Sequence, residues 1–171
     1  MKRLLALLLA ALLAFGLAAC GQKQNEPADV LVYGSGDYTA INPALYEHGE
    51  INLLLFAGLT AHDAGNRVIP DVAEKWEFDE RTNTYTFHLR RDVYFHDGVQ
   101  LTAKDVQFTL EAIMDPANAS ENASNYEDIT AISAPDDFTL QIQLSAPNVA
   151  MLDYLTMGIL PAHLLEGKDL A

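Results

Sequence analysis

The chain has 171 residues, half of them hydrophobic, with ten basic and 24 acidic side chains and a net charge of −14. That balance argues against nucleic-acid binding, which needs a basic face to neutralise phosphates, and it disfavours flat adsorption to anionic lipid. A single cysteine, Cys20, excludes an internal disulfide and any zinc site built on a cysteine pair.

The elements follow in chain order. Lys2 and Arg3 precede an uncharged run from Leu4 to Ala19. A positive start, an apolar core slightly short for a bilayer-spanning helix and a small-residue exit is the layout of a secretory signal. The exit reads Leu17-Ala18-Ala19-Cys20, which resembles the lipobox of bacterial lipoproteins. An ordinary cleaved signal or a membrane-spanning helix are the alternatives to a lipoprotein signal. That resemblance implies lipidation of the Cys20 thiol and removal of residues 1–19. It implies a membrane attachment through acyl chains, two or more being needed for a stable hold. From Cys20 onward the net charge is −16. Residues 20–29 are polar and aperiodic and read as a lipidated tether. Residues 30–171 then hold the folded part.

Val30-Leu31-Val32-Tyr33 reads as a buried strand. The following Gly34-Ser35-Gly36 is no dinucleotide fingerprint, because Thr39 stands where the third glycine belongs. Asn42-Pro43 marks a turn. Ile51 to Leu59 predicts an apolar helix ending near Gly58. His62 to Asn66 predicts a tight turn with Gly65 at positive φ. Pro70-Asp71 is expected to open and cap a short helical turn running through Trp76. Thr84 to Leu89 alternates at strand period, and His96-Asp97-Gly98 signals a turn.

Thr102 is an N-cap candidate, with Asp105 three residues on in the manner of a capping box. The helix it opens carries Val106, Leu110 and Ile113 at helical spacing and stops near Asp115-Pro116. Residues 117–128 read as a long polar loop. Ile129–Ser133 and Phe138–Leu144 predict two strands joined through Pro135-Asp136-Asp137. Val149–Leu155 predicts a helix. Ile159-Leu160-Pro161 leads to a last short helix ending at Ala171.

Five blocks stand in order: Phe56-Ala57-Gly58-Leu59-Thr60, Gly65, Pro70 to Trp76, Tyr85 to Gly98, and Leu101 to Val106. Together they resemble the bacterial extracellular solute-binding proteins of family 5, the oligopeptide-, dipeptide- and nickel-binding lipoproteins of ABC importers. Read on their own, most of these residues are structural: Phe87, Leu89, Val93 and Phe95 are core positions, Trp76 a packing anchor, Asp97-Gly98 a turn and Asp105 a cap.

The resemblance implies a mixed α/β, type II periplasmic-binding-protein-like fold with two lobes. It places residues 30–50 in the first lobe and about 51–146 in an extra subdomain, with 159–165 returning to the first lobe. Members are usually several hundred residues long. The chain is therefore expected to be an N-terminal part comprising the start of lobe one and its subdomain. The usual acidic partner of a peptide amine lies in the second lobe. Residues 21–171 alone are accordingly expected to bind ligand weakly or not at all.

Two stretches are expected to line the ligand cleft by this resemblance: Tyr46-Glu47-His48 and the loop Asn122 to Tyr126, with Asn122, Asn125 and Tyr126 as candidates. Glu47 is placed to pair with a cationic group and Tyr126 to pack on a ligand side chain. A solvated loop without ligand contact is the bland alternative for both. His48 is the one metal-ligand candidate in the cleft, since His48, His62, His88, His96 and His163 show no paired helical spacing. The implied function is peptide capture outside the cytoplasmic membrane for an ABC permease and ATPase. Nickel or metal-chelate uptake is the alternative, and surface signalling or adhesion a second. No cofactor is expected. No nucleophile elbow, HExxH or P-loop supports an enzyme, and His96-Asp97 lacks any motif-placed nucleophile.

Overall fold

The structure is a computed structural model that describes Gly34, residues 41–46 and residues 49–170. Contacts divide the chain at Asp37–Tyr38, and the fold below is that of the second unit. The expected signal, Cys20, the tether and the strand Val30–Tyr33 lie outside the described residues, as do Glu47 and His48.

Helix α1 (Gly49–Leu55) precedes a hairpin of β1 (Thr60–His62) and β2 (Val68–Pro70). Next come β3 (Ala73–Asp79), β4 (Thr84–Leu89) and helix α2 (Ala103–Met114). Two 3-10 turns, Pro116–Asn118 and Ala123–Tyr126, lead to β5 (Ile129–Asp136) and β6 (Thr139–Leu144). Two single-turn helices close the chain, α3 (Met151–Tyr154) and α4 (Ala162–Leu165). Strands β3 to β6 form one antiparallel sheet in the order β3-β4-β6-β5.

The sheet is apolar on one face only, as antiparallel sheets commonly are. Tyr85, Phe87 and Leu89 on β4 and Leu140, Ile142 and Leu144 on β6 are buried, while Gln141 and Gln143 between them are exposed. The period-2 pattern thus sets which face meets the core. Val106, Leu110 and Ile113 of α2 belong to the same core cluster. The sequence-predicted capping residues start α2: the Thr102 N–H and hydroxyl both donate to Asp105 Oδ2, at 2.8 and 2.9 Å.

Four expectations need correction. The segment after Pro70 is strand, not a helical turn. Trp76 pairs with Phe87 and Phe78 with Tyr85 across β3–β4, so aromatic cross-strand contacts override the local capping signal. The apolar helix ends at Leu55, because residues 56–60 are drawn out between two neighbouring segments. The Ala57 carbonyl accepts from Ile159 N, and the Gly58 carbonyl from Val72 N. In the β1–β2 turn it is Asn66, not Gly65, that adopts positive φ, at 58°. Asp63 makes this possible by accepting from the Gly65 and Arg67 amides and the Arg67 guanidinium. Those bonds hold its carboxyl below the usual range. Finally, the last helix stops at Leu165, well short of Ala171, where positive-φ Gly167 follows.

Candidate functional site

A concavity of about 440 Å³ lies beside α1. Four segments build its walls, each placed by a local rule. Asn42 accepts the Ala44 amide on its side chain and the Leu45 and Tyr46 amides on its carbonyl, which turns the chain and delivers Tyr46. Asn52 and Leu53 come from α1, and Phe56 follows it. The second 3-10 turn presents Asn122, Asn125 and Tyr126. His62 of β1 faces Asp153 and Tyr154 of α3, with Thr156 to Gly158 just beyond.

Of the residues named from sequence, Tyr46, Asn122, Asn125 and Tyr126 therefore share one lining. They are brought together by contacts far apart in sequence. The Ser120 hydroxyl donates to the Ala44 carbonyl at 2.5 Å, the Asn122 amide to the Pro43 carbonyl, and Glu121 N to the Leu45 carbonyl at 3.0 Å. These bonds dock the 117–128 segment onto the Asn42 turn. Tyr126 is buried, and its hydroxyl donates to the Tyr154 carbonyl at 2.6 Å. Burial pushes its phenol well up, so it presents a neutral edge rather than an acid. Its ring meets Tyr154 edge-on at 6.2 Å.

Among the lining residues that sequence reasoning missed are Asn52, His62, Asp153 and Tyr154. His62 Nε2 lies 2.9 Å from Asp153 Oδ1, a pairing of residues 91 apart in sequence. Asn52 Oδ1 is buried with no hydrogen-bond partner. No sequence motif marks any of these positions. Only an acidic side chain in an otherwise apolar run, as in Met151-Leu152-Asp153-Tyr154-Leu155, offered a hint. Among the described residues no group of three or more His, Cys, Asp or Glu is placed to hold a metal ion.

A second concavity, about 350 Å³, lies near the other side of the α1–Phe56 segment and is mainly apolar, lined by Leu54, Phe56, Val93, Phe95 and Ile159 among others. At its edge His163 Nε2 sits 2.7 Å from Asp97 Oδ2 and its ring packs on Phe95. The His163 hydrogen bond holds the Asp97 carboxyl below its ordinary value. This pair fastens α4 to the 95–98 turn. His96 and Asp97 are thus not a catalytic pair: Asp97 is occupied by His163 and by the Val99 amide.

Against known proteins, the profile described as bacterial extracellular solute-binding proteins, family 5 Middle, matches residues 67–169. The chain belongs to this family. The dipeptide-binding protein of Escherichia coli K12 is 32% identical to it over 168 residues, spanning 85% of this chain and 31% of that protein. The structure of NikZ from Campylobacter jejuni in complex with Ni(L-His) superposes with a TM-score of 0.74 at 39% identity, covering 79% of this chain and 28% of NikZ. DppA from Helicobacter pylori in complex with the peptide STSA gives 0.63 at 32% identity, covering 73% and 30%. The chain thus spans about a third of the length of these relatives. Its mixed α/β architecture corresponds to part of the type II periplasmic-binding-protein-like fold.

Proposed function

We infer that this chain supplies one wall of the ligand cleft of an exported solute-binding lipoprotein that captures peptides for an ABC permease and ATPase. The observation that carries the reading is the convergence of Tyr46, Asn122, Asn125 and Tyr126, with Asn52, on a single concavity in a chain of family 5. Peptide backbone needs donors and acceptors at intervals and space for varied side chains. Asparagine amides supply both polarities, and Phe56, Met157 and Tyr154 supply adaptable apolar surface.

The test is a titration of the isotope-labelled chain with a blocked tripeptide, read by amide chemical shifts. Shifts at Tyr46, Asn122, Asn125 and Tyr126 are expected, with affinity in the millimolar range because one wall supplies only part of a cleft's buried area. No response at these four residues at saturating peptide sinks the reading.

Metal-chelate capture is a second reading, favoured by the likeness to a nickel–histidine complex of NikZ. It predicts that Ni(L-His), and not the tripeptide, perturbs the same lining, with His48 as the candidate ligand. The membrane anchor belongs to the same proposal. A lipid on Cys20 keeps the acidic folded part beside its permease through the polar residues 21–29. Cys20→Ser is expected to abolish incorporation of labelled palmitate in growing cells; label retained at wild-type level removes the anchor.

The extra-subdomain assignment of about 51–146 stays part of this proposal. The four-stranded sheet and α2 lie within 73–144, and their core cluster continues into Ala44, Met151, Leu155, Ile159 and Leu160.

A further inference from the structure

The concavity holds an acceptor that the chain itself leaves unused. Asn52 Oδ1 is buried without a donor, a state that costs free energy until a donor arrives. Asp153, on the same lining, engages His62 through Oδ1 only. Its side chain is 50% exposed, and a carboxylate with one oxygen engaged keeps acceptor capacity on the other. Among the described residues, no lysine or arginine lines the concavity, and Asp153 is the one carboxylate that does. Tyr46, Phe56 and Tyr154 add aromatic faces to the same lining, which attract cations through the ring quadrupole. Two acceptors and aromatic faces, with no lysine or arginine among the described lining residues, make an environment suited to a positively charged donor.

We propose that Asn52 and Asp153 form an acceptor subsite for a cationic N–H-donating group of the ligand, a primary ammonium or a guanidinium. The proposal rests on the reading of this concavity as part of the peptide cleft, and it names the chemistry of one position in the ligand. The ammonium bonds Asp153 through Oδ2 while His62 remains on Oδ1. Asn52, on the same lining, offers its unsatisfied oxygen to a donor that enters there. His62 is a positioning residue: it holds the Asp153 carboxylate against the β1 wall and leaves the other oxygen for the ligand.

The test compares three peptides blocked at both ends, Ala-Lys-Ala, Ala-Met-Ala and Ala-Glu-Ala, so that the central side chain carries the only charge. Each is titrated into the full labelled chain in detergent micelles. The lysine peptide is expected to bind about tenfold more tightly than the methionine peptide, the ordinary reach of a charge-assisted hydrogen bond added to a half-exposed ion pair. The glutamate peptide is expected to bind most weakly. The Asn52 side-chain amide signals should move with the lysine peptide and not with the glutamate one. Asp153→Asn should abolish the difference between the lysine and methionine peptides, and His62→Gln, which keeps a donor for Oδ1, should preserve it.

Equal binding of the lysine and methionine peptides, or an unchanged preference in D153N, overturns the subsite while leaving peptide capture standing. A silent Asn52 amide under saturating lysine peptide overturns it without reference to any variant. Failure of all three peptides to bind overturns the subsite and the peptide reading together.

Discussion

Replacing Gly58 with alanine is expected to lower the free energy of unfolding by about 3 kcal/mol, the upper end of what forced overpacking costs. A β-carbon at this position would lie 2.6 Å from the carbonyl carbon and oxygen of Thr156 and 2.8 Å from the Leu155 oxygen. All three are backbone atoms, so no side chain can swing aside. Nor can the strand itself retreat. On one flank Thr60 N donates to the Leu155 carbonyl at 3.3 Å and Ile159 N to the Ala57 carbonyl at 3.0 Å. On the other, Val72 N reaches the Gly58 carbonyl at 3.1 Å and Ala73 N the Leu59 carbonyl at 3.0 Å. Residues 57–60 are held between two segments, and the methyl group forces one set of bonds to lengthen.

The measurement is urea unfolding followed by the fluorescence of Trp76, the single tryptophan, which packs 6.3 Å from Phe87 in the core. The control is Gly65→Ala, where the nearest atom is the carboxylate tip of Asp63 at 3.2 Å, in an exposed turn. It should change stability by no more than about 0.5 kcal/mol. A Gly58→Ala midpoint within error of wild type would mean that the 155–158 segment yields freely. Thr156 and Gly158 line the concavity, so the same substitution should also weaken ligand binding. The site wall and the fold share this one backbone crossing. Gly158 repeats the constraint from the other side, where a β-carbon would strike the Phe56 side chain.

These contacts mark the boundary of what the sequence could reveal. Alternation in Thr84–Leu89 and in Phe138–Leu144 is a local property, and both strands appear where it puts them. The α2 boundaries were legible for the same reason, since Thr102 and Asp105 at one end and Asp115-Pro116 at the other act within a few residues. Strand β3 was not. Asp71 after Pro70 is a sound local capping signal, and only the pairing of Trp76 and Phe78 with β4 defeats it. The 117–128 segment reads as solvated because it is polar, yet Tyr126 within it is fully packed and bonded to the Tyr154 carbonyl.

The site shows the same division. Family resemblance pointed to Tyr46 and to the Asn122–Tyr126 loop. Asn52 and His62 reach the Asn122–Tyr126 loop, and Asp153 reaches Tyr46, across sequence separations that no spacing rule encodes. An orphaned buried oxygen such as Asn52 Oδ1 exists only once the surrounding chain has been placed.

Replacing Asp105 with alanine is expected to cost about 3 kcal/mol, from an unmade helix cap and a stranded buried donor together. Oδ2 takes the Thr102 N–H and hydroxyl at the start of α2, while Oδ1 takes the Ala162 amide at 3.0 Å. One carboxylate therefore starts the helix and fastens the chain that returns 57 residues later. It is 6% exposed, so water does not readily replace it. One turn on, the buried Thr109 hydroxyl donates to the Asp105 carbonyl at 2.7 Å and accepts the Leu160 amide at 2.9 Å.

Asp105→Asn keeps an oxygen for one of the two sides only and should fall between wild type and alanine. Thr109→Val, nearly the same shape without the acceptor, should cost about 1–2 kcal/mol. The double variant should cost less than the two singles added, because both hold the same segment and its release is paid once. Hydrogen exchange separates this from a general loss of stability. The Leu160 and Ala162 amides should lose protection in Asp105→Ala well beyond those of β4 and β6, whose buried residues share the core with Val106, Leu110 and Ile113. Uniform loss across the sheet would instead mean that Asp105 acts only through the helix. Met157 and Gly158, immediately before the latched residues, line the concavity. With the concavity as the proposed cleft wall, loosening the latch should therefore also weaken binding of the blocked tripeptide, although Asp105 does not line it.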